Sequence, residues 1–319
     1  MKIIESVLGI RADNLVFKLN DFYKKQDVYL KIEGLNIAGS IKIKPAIHMI
    51  EMLEIDGTIK PGRNKIIESS SGNLGVALSI VCKAKGYEFY CVTDPNLSSA
   101  CFKQMKIYDA KIIKINQKDK NGGYLTTRID AIKKMIAEDP SIVWTNQYAN
   151  MNNVDAHYKT TAPEIHHFFQ SIDTLFIGSG TTGTLGGCAK YFEEHSPKTK
   201  IVAVDNLGSV TFGHAPERRL LPGLGTSRRP EITSTRNIYD VIQIPEIETI
   251  QTANELLRRY SLFAGASTAT VLTGIKKHID MNGISKTAVA ICPDFGDRYY
   301  DTVYDSTWVR NNYECVALA

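Results

Sequence analysis

No CxxC pair occurs in the 319-residue sequence; its six cysteines, at 82, 91, 101, 188, 292 and 315, stand apart. That scatter excludes the usual zinc spacings, so no metal is expected. Cysteines set in apolar runs read instead as reduced, buried thiols of a cytoplasmic protein. No apolar run approaches the ~18–20 residues needed to cross a bilayer. The opening MKIIESVLGIRAD meets an acid too early for a signal peptide, and no membrane association is expected. The net charge of +4 is not gathered into a stripe. ERRL and SRRP are too short to bind nucleic acid and read as solvated surface. Internal repeats and low-complexity segments are also missing.

The composition that remains, 43% apolar and 23% charged, is that of an ordinary globular protein. The length allows two core-bearing lobes. Short apolar runs alternate with amphipathic stretches: NKIIES with GNLGVALSIVCKAKG, YEFYCVTD with SSACFKQMKIYDA, DTLFIGSG with TLGGCAKYFEEH. This alternation predicts an α/β fold of two lobes, each a mainly parallel twisted sheet covered by helices. A boundary near residue 146 predicts a smaller, substrate-binding lobe over 13–145. Residues 1–12 and 146–319 would form a larger lobe that binds a cofactor phosphate. The stretch 207–247, rich in Gly, Pro and Arg but holding Val210, Phe212, Leu220, Leu221 and Leu224, reads as an ordered functional loop.

Two glycine loops each follow a strand and open a helix. In DTLFIGSGTTGTLGG, Gly178, Gly180 and Gly183 satisfy GxGxxG, and Asp205 ends the next strand. That is the dinucleotide fingerprint, but its physical content is only a phosphate site built of N–H groups and the Thr181, Thr182 and Thr184 hydroxyls. In ESSSGNLGVAL, Ser69, Ser70 and Ser71 with Gly72 and Gly75 suit a small carboxylate, although a serine-rich helix cap reads the same way. A dinucleotide enzyme needs one such loop. A phosphate-bearing cofactor and an amino-acid substrate need both. GSIKIKPA adds Lys42 and Lys44, two apart and therefore not on one helix face.

In this order GSIK, SSSGNLG, GSGTTGT, FAGAST and PDFGDRYYDT resemble the motifs of the cysteine synthase family of pyridoxal-phosphate enzymes, the fold type II or tryptophan synthase β-like group. GGYLTTRI, WTNQYAN, LPGLGTSRRPEI and GDRYYDTVYDSTW are further similar to a subgroup, the N-(2-amino-2-carboxyethyl)-L-glutamate synthases of siderophore and 2,3-diaminopropionate biosynthesis. The sequence departs from the general family at Ile37, at Lys44 where arginine is common, and at Ser70 and Leu74.

The resemblance implies pyridoxal 5'-phosphate as cofactor, carried by Lys42, whose freed amine would remove the Cα proton. It implies Asn73 at the ring oxygen, Gly180, Thr181, Thr182, Gly183 and Thr184 at the phosphate, and Ser267 at the pyridine nitrogen. A helix cap is the plainer reading of Ser267. Ser70, Ser71 and Gly72, with Gln147, would hold the substrate α-carboxylate. Arg228, with Arg229 as a weaker alternative, is the candidate clamp for a leaving phosphate. Arg128 and Tyr148 are the candidates for a second carboxylate. His157, His166 and His167 read as core or surface residues.

The implied reaction is β-replacement on O-phospho-L-serine through an aminoacrylate, with L-glutamate as the amine nucleophile, in a cytoplasmic homodimer. Three other readings are open: a cysteine synthase using sulfide, an NAD-dependent oxidoreductase built on the GxGxxG loop and Asp205, and a non-catalytic partner protein.

Overall fold

The computed structural model describes residues 3–120, 122–169 and 171–313. Ten strands run in chain order as β1 (Val16–Tyr23), β2 (Gln26–Ile32), β3 (Lys65–Ser69), β4 (Glu88–Thr93), β5 (Lys111–Lys114), β6 (Ile142–Trp144), β7 (Thr174–Gly178), β8 (Lys200–Asn206), β9 (Asp240–Ile244) and β10 (Ala288–Cys292). The helices are α1 (Ile43–Ile55), α2 (Asn73–Lys85), α3 (Ser99–Ile107), α4 (Leu125–Glu138), α5 (Asn152–Lys159), α6 (Thr161–Phe168), α7 (Gly183–His195), α8 (Glu246–Tyr260), α9 (Ala266–Asn282) and α10 (Ser306–Asn312).

Two sheets form, in the orders β1-β2-β10-β7-β8-β9 and β5-β4-β3-β6. All pairings are parallel except β1 with β2. The strands are apolar on both faces because both faces are covered. In the larger sheet Phe176, Val202 and Val204 join the core beneath α8 and α9, while Leu175, Ile177, Ile201 and Ala203 join the core beneath α6 and α7. In the smaller sheet Ile66 and Ile67 part in the same way, toward α1–α2 and toward α4. This is the period-2 pattern of a doubly covered sheet.

The larger sheet holds two surprises. The β1–β2 hairpin belongs to it, through the parallel pairing of β2 with β10, whereas the division at 13–145 put these residues in the smaller lobe. Its turn is Lys24-Lys25, both at positive φ (48° and 62°). Strand β9 lies inside the stretch read as irregular, paired with β8.

The chain crosses between the lobes just before α1. Ile41 is buried in the larger lobe's core, and Ile43, Ala46 and Met49 in the smaller one's. Lys42 stands between them, at the seam. Pro45 in the first turn of α1 costs no hydrogen bond, since first-turn N–H groups have no partner inside a helix.

Candidate active site

A cleft of about 750 Å³ opens at the carboxyl ends of the strands, between the two sheets. Parallel sheets place ligands there because the following helices present their N-termini. The loop after β3 leads into α2, and the loop after β7 leads into α7; both line the cleft. So do Lys42, Ser70, Ser71, Gly72, Asn73, Arg128, Gln147, Tyr148, Gly180, Thr181, Thr182, Gly183, Thr184 and Ser267. The expected lysine, cofactor and carboxylate residues are therefore gathered in one cavity, while the expected phosphate clamp, Arg228 or its alternative Arg229, is not.

Both arginines are absent from the cleft wall, and Arg228 forms a half-exposed ion pair with Glu231, three residues on. Arg219 and its neighbour Arg218 line the cleft, so the ERRL segment is not simply solvated surface. The Arg219 guanidinium is partly buried, donates from Nη1 to the Leu224 carbonyl at 3.3 Å, and has no partner at Nε among the described residues. Burial holds its pKa below the ordinary range, opposed by the charges of Asp205 and Glu246.

Asp205 itself cannot serve a dinucleotide. Its side chain is fully buried, it accepts the Asn206 N–H at 2.8 Å, and burial pushes its pKa up to about 6. A ribose in the cleft is out of its reach, and the GxGxxG match carries only a phosphate-type loop.

Lys42 carries no hydrogen bond on its amine among the described residues. Burial pushes its pKa down to about 8, partly opposed by the negative charge of Asp294. About a tenth of an amine at that value is unprotonated at neutral pH, against less than about a thousandth for an ordinary lysine, and that fraction is free to attack a carbonyl. Lys44 points elsewhere. It is buried and paired with Glu33 and Glu164, both at 2.8 Å, and the same two acids bind Lys31 at 2.9 Å. Lys44 is thus a structural charge.

The loop before α2 is built around two acids. Glu68, fully buried, accepts from the Ser69 N–H, Trp144 Nε1, Thr145 Oγ1 and the Gln147 N–H at 2.6–3.1 Å. This fixes the end of β6 beside the end of β3, and Gln147 Nε2 then donates to the Ser69 carbonyl at 2.9 Å. Ser70 Oγ accepts from the N–H groups of Gly72 and Gly75, at 3.3 and 3.0 Å, which is the helix-cap role. Ser71 Oγ accepts from Arg128 Nη1 at 2.6 Å, and Asp94 pairs with the same nitrogen at 3.2 Å. Arg128 Nε faces no partner among the described residues.

Asp294 is the second acid, and the sequence reading did not single it out. Its Oδ2 accepts from Asn73 Nδ2 at 2.7 Å and from the Tyr299 hydroxyl at 3.1 Å. Burial raises its pKa, against the lowering effect of the Asn73 bond and Arg298. A glycine at 265 is required: a Cβ there would fall 1.9 Å from Asp294 Oδ1. The only signal was the Asp within PDFGDR; its partner at 73 is invisible to local pattern.

Thr182 and Gly183 open α7, Thr182 in the left-handed region at φ 68°. At Gly180 a Cβ would lie 2.6 Å from the Gly223 carbonyl oxygen, and at Gly183 one would lie 2.3 Å from Asn153 Oδ1. Bare backbone there leaves N–H groups facing the cleft. Ser267 is the second residue of α9, whose cap is Gly265, so it is not itself the helix cap. Its hydroxyl faces the cleft opposite the Gly223 segment.

A lysine whose amine is readily deprotonated, set between two helix N-termini, one of them opened by a bare-backbone glycine loop, is what a lysine-borne aldehyde cofactor with a phosphate needs. The chain belongs to the pyridoxal-phosphate dependent enzyme family, which it matches over residues 11–294. It is therefore a pyridoxal-phosphate-dependent enzyme. It is 41% identical over 287 residues to an N-(2-amino-2-carboxyethyl)-L-glutamate synthase of Ralstonia nicotianae, covering 90% of this chain and 85% of that protein. To the protein of the same name from Cupriavidus metallidurans it is 39% identical, over 89% and 84% of the two chains. Among solved structures it resembles an O-ureido-L-serine synthase at TM-score 0.86 and 25% identity, over 99% and 98% of the chains. An O-acetylserine dependent cystathionine β-synthase from Helicobacter pylori matches with the same TM-score and identity, over 95% and 99%. Its fold is that of the cysteine-synthase-like enzymes.

Proposed function

We propose that this enzyme performs β-replacement on O-phospho-L-serine with the amine of L-glutamate, forming N-(2-amino-2-carboxyethyl)-L-glutamate and phosphate. The observation that carries this reading is the cation set of the cleft: Arg128, Arg218 and Arg219 line the same cavity as Lys42. A sulfide or hydroxide nucleophile needs no such surplus. A phosphate leaving group and a nucleophile with two carboxylates do. The two relatives' names agree with it.

When bound, pyridoxal phosphate supplies an electron-accepting ring that stabilises negative charge at the substrate Cα. Lys42 would carry it, and its amine would hold the proton taken from Cα. The N–H groups from Gly180 to Thr184 bind its phosphate. Asn73, one amide hydrogen fixed on Asp294, would have the other to offer the ring oxygen. Ser267 offers the ring nitrogen a neutral hydroxyl, which leaves the ring a moderate electron sink suited to elimination. Ser70, Ser71 and Gly72 orient the α-carboxylate, Gln147 completing that pocket. Arg219, in place of Arg228, draws off the leaving phosphate, and Arg128 with Tyr148 receives a carboxylate of the incoming glutamate. In this reading the lobe of the four-stranded sheet is the substrate lobe and that of the six-stranded sheet holds the cofactor phosphate.

A cytoplasmic homodimer completes the proposal. Five free cysteines are buried, which suits a reducing compartment; Cys315 lies outside the described residues. No helix among the described residues is long and apolar enough to cross a membrane. Ile10 and Leu35 are exposed apolar residues on neighbouring segments, joined by Ala12 N–H to Leu35 O at 2.9 Å, and a second copy would cover them. Light scattering that returned a monomer would contradict the dimer. The reaction is tested by phosphate release from O-phospho-L-serine, which should depend on L-glutamate and vanish in Lys42→Ala. Release that survives in the variant would refute it.

A further inference from the structure

The phosphate loop is tied to the buried lysine–glutamate group by a chain of hydrogen bonds that the reaction as described does not use. Thr184 Oγ1, at the cleft wall, lies 3.1 Å from His157 Nε2. His157 Nδ1 lies 3.0 Å from Thr161 Oγ1, and Lys44 Nζ donates to that oxygen at 3.4 Å. His157 and Thr161 are fully buried. Close approach of α5 to α7 makes the contact possible, since a Cβ at Gly187 would fall 2.5 Å from the Val154 carbonyl oxygen.

We propose that His157 is a positioning residue: Lys44, acting through Thr161, fixes it as the neutral Nε2–H tautomer, which turns the Thr184 hydroxyl hydrogen into the cleft toward the cofactor phosphate. The proton count leads there. An ammonium only donates, so Thr161 Oγ1 accepts from Lys44. The Thr161 hydroxyl owns one hydrogen, and among the described residues its only acceptor is His157 Nδ1. Were Nδ1 protonated, the hydroxyl would receive two donors and its own hydrogen would be buried without a partner, a costly arrangement. Nδ1 therefore accepts, and Nε2 carries the hydrogen and donates it to Thr184 Oγ1. That leaves the Thr184 hydrogen free to donate to an anion. In the opposite tautomer Thr184 would spend its hydrogen on Nε2 and present only lone pairs to the phosphate. Burial, then the charges of Lys42 and Lys44, hold the imidazole neutral.

The inference rests on the reading of Gly180–Thr184 as the phosphate loop, and the test separates the two. In holoenzyme labelled with 15N-histidine, long-range 1H–15N spectra should show His157, assigned by its loss in His157→Gln, with a protonated Nε2 and a bare Nδ1. Thr161→Val, which removes the hydroxyl and keeps the shape, should mix or invert that tautomer and weaken pyridoxal phosphate binding about tenfold. It should also shift the 31P resonance of the bound cofactor, and Thr161→Ser should restore all three. A wild-type His157 protonated at Nδ1 overturns the inference, as does a Thr161→Val enzyme with unchanged tautomer and unchanged cofactor affinity. A wild-type 31P resonance like that of free phosphate ester would instead refute the loop reading. The tautomer measurement in cofactor-stripped protein judges the Lys44–Thr161–His157 chain in either case.

Discussion

Asn73 and Asp294 are 221 residues apart in the chain and 2.7 Å apart in space, Nδ2 to Oδ2. One opens α2 of the smaller lobe and the other follows β10 of the larger, so the bond ties the lobes together beside Lys42. The carboxylate also sets the amine's chemistry, because its negative charge favours protonated Lys42 while burial opposes it. In cofactor-free protein, acylation of Lys42 read by peptide mass spectrometry should be half-maximal near pH 8. An ordinary lysine would reach that point near pH 10.4. Asp294→Asn removes the charge that holds the proton on, so the midpoint should move to lower pH. A shift to higher pH would show that the carboxylate does not act on this amine.

The loop proposed to bind the cofactor phosphate leaves no room at Gly180. In Gly180→Ala the new Cβ would stand 2.6 Å from the Gly223 carbonyl oxygen, a backbone atom that cannot swing aside. The loop must then move away from the Gly223 segment, and cofactor affinity should fall at least about tenfold through lost charge-assisted bonds. Equilibrium dialysis of the reconstituted enzyme measures it.

The two arginine positions separate by kinetics. Arg219→Ala should raise the KM for O-phospho-L-serine or lower kcat/KM by about ten- to a hundredfold, the worth of a hydrogen bond to a charged group. Arg228→Ala loses only a half-exposed ion pair with Glu231 and should stay within about twofold of wild type. Steady-state phosphate release measures both.

Lys44→Met would leave Glu33 and Glu164 buried against Lys31 alone. Breaking a buried charge group from one side costs about 3–5 kcal/mol. Denaturant unfolding should show that loss, whereas Lys18→Met, at an exposed pair with Asp27, should leave the midpoint nearly unchanged.

The sequence was legible where chemistry and local order coincide. Lys42, both glycine loops and most strands could be read because each is a short contiguous pattern with a single physical purpose. The β1–β2 hairpin was not, because its turn is Lys24-Lys25 at positive φ, without the Asn or Gly that marks such turns. Strand β9 was hidden by the irregular segment before it. Arg219 and Arg228 are nine positions apart in one Gly- and Pro-rich loop, and which one enters the cleft depends on how that loop folds back. Asp294 and the Thr184–His157–Thr161–Lys44 chain are long-range contacts, which no local pattern encodes.

The central claim is the reaction. The purified enzyme, supplied with pyridoxal phosphate, O-phospho-L-serine and equimolar L-glutamate and sulfide, should be followed by product mass spectrometry. N-(2-amino-2-carboxyethyl)-L-glutamate should accumulate in step with released phosphate, with cysteine a minor product. Cysteine as the main product, or no adduct with glutamate at all, would contradict the account.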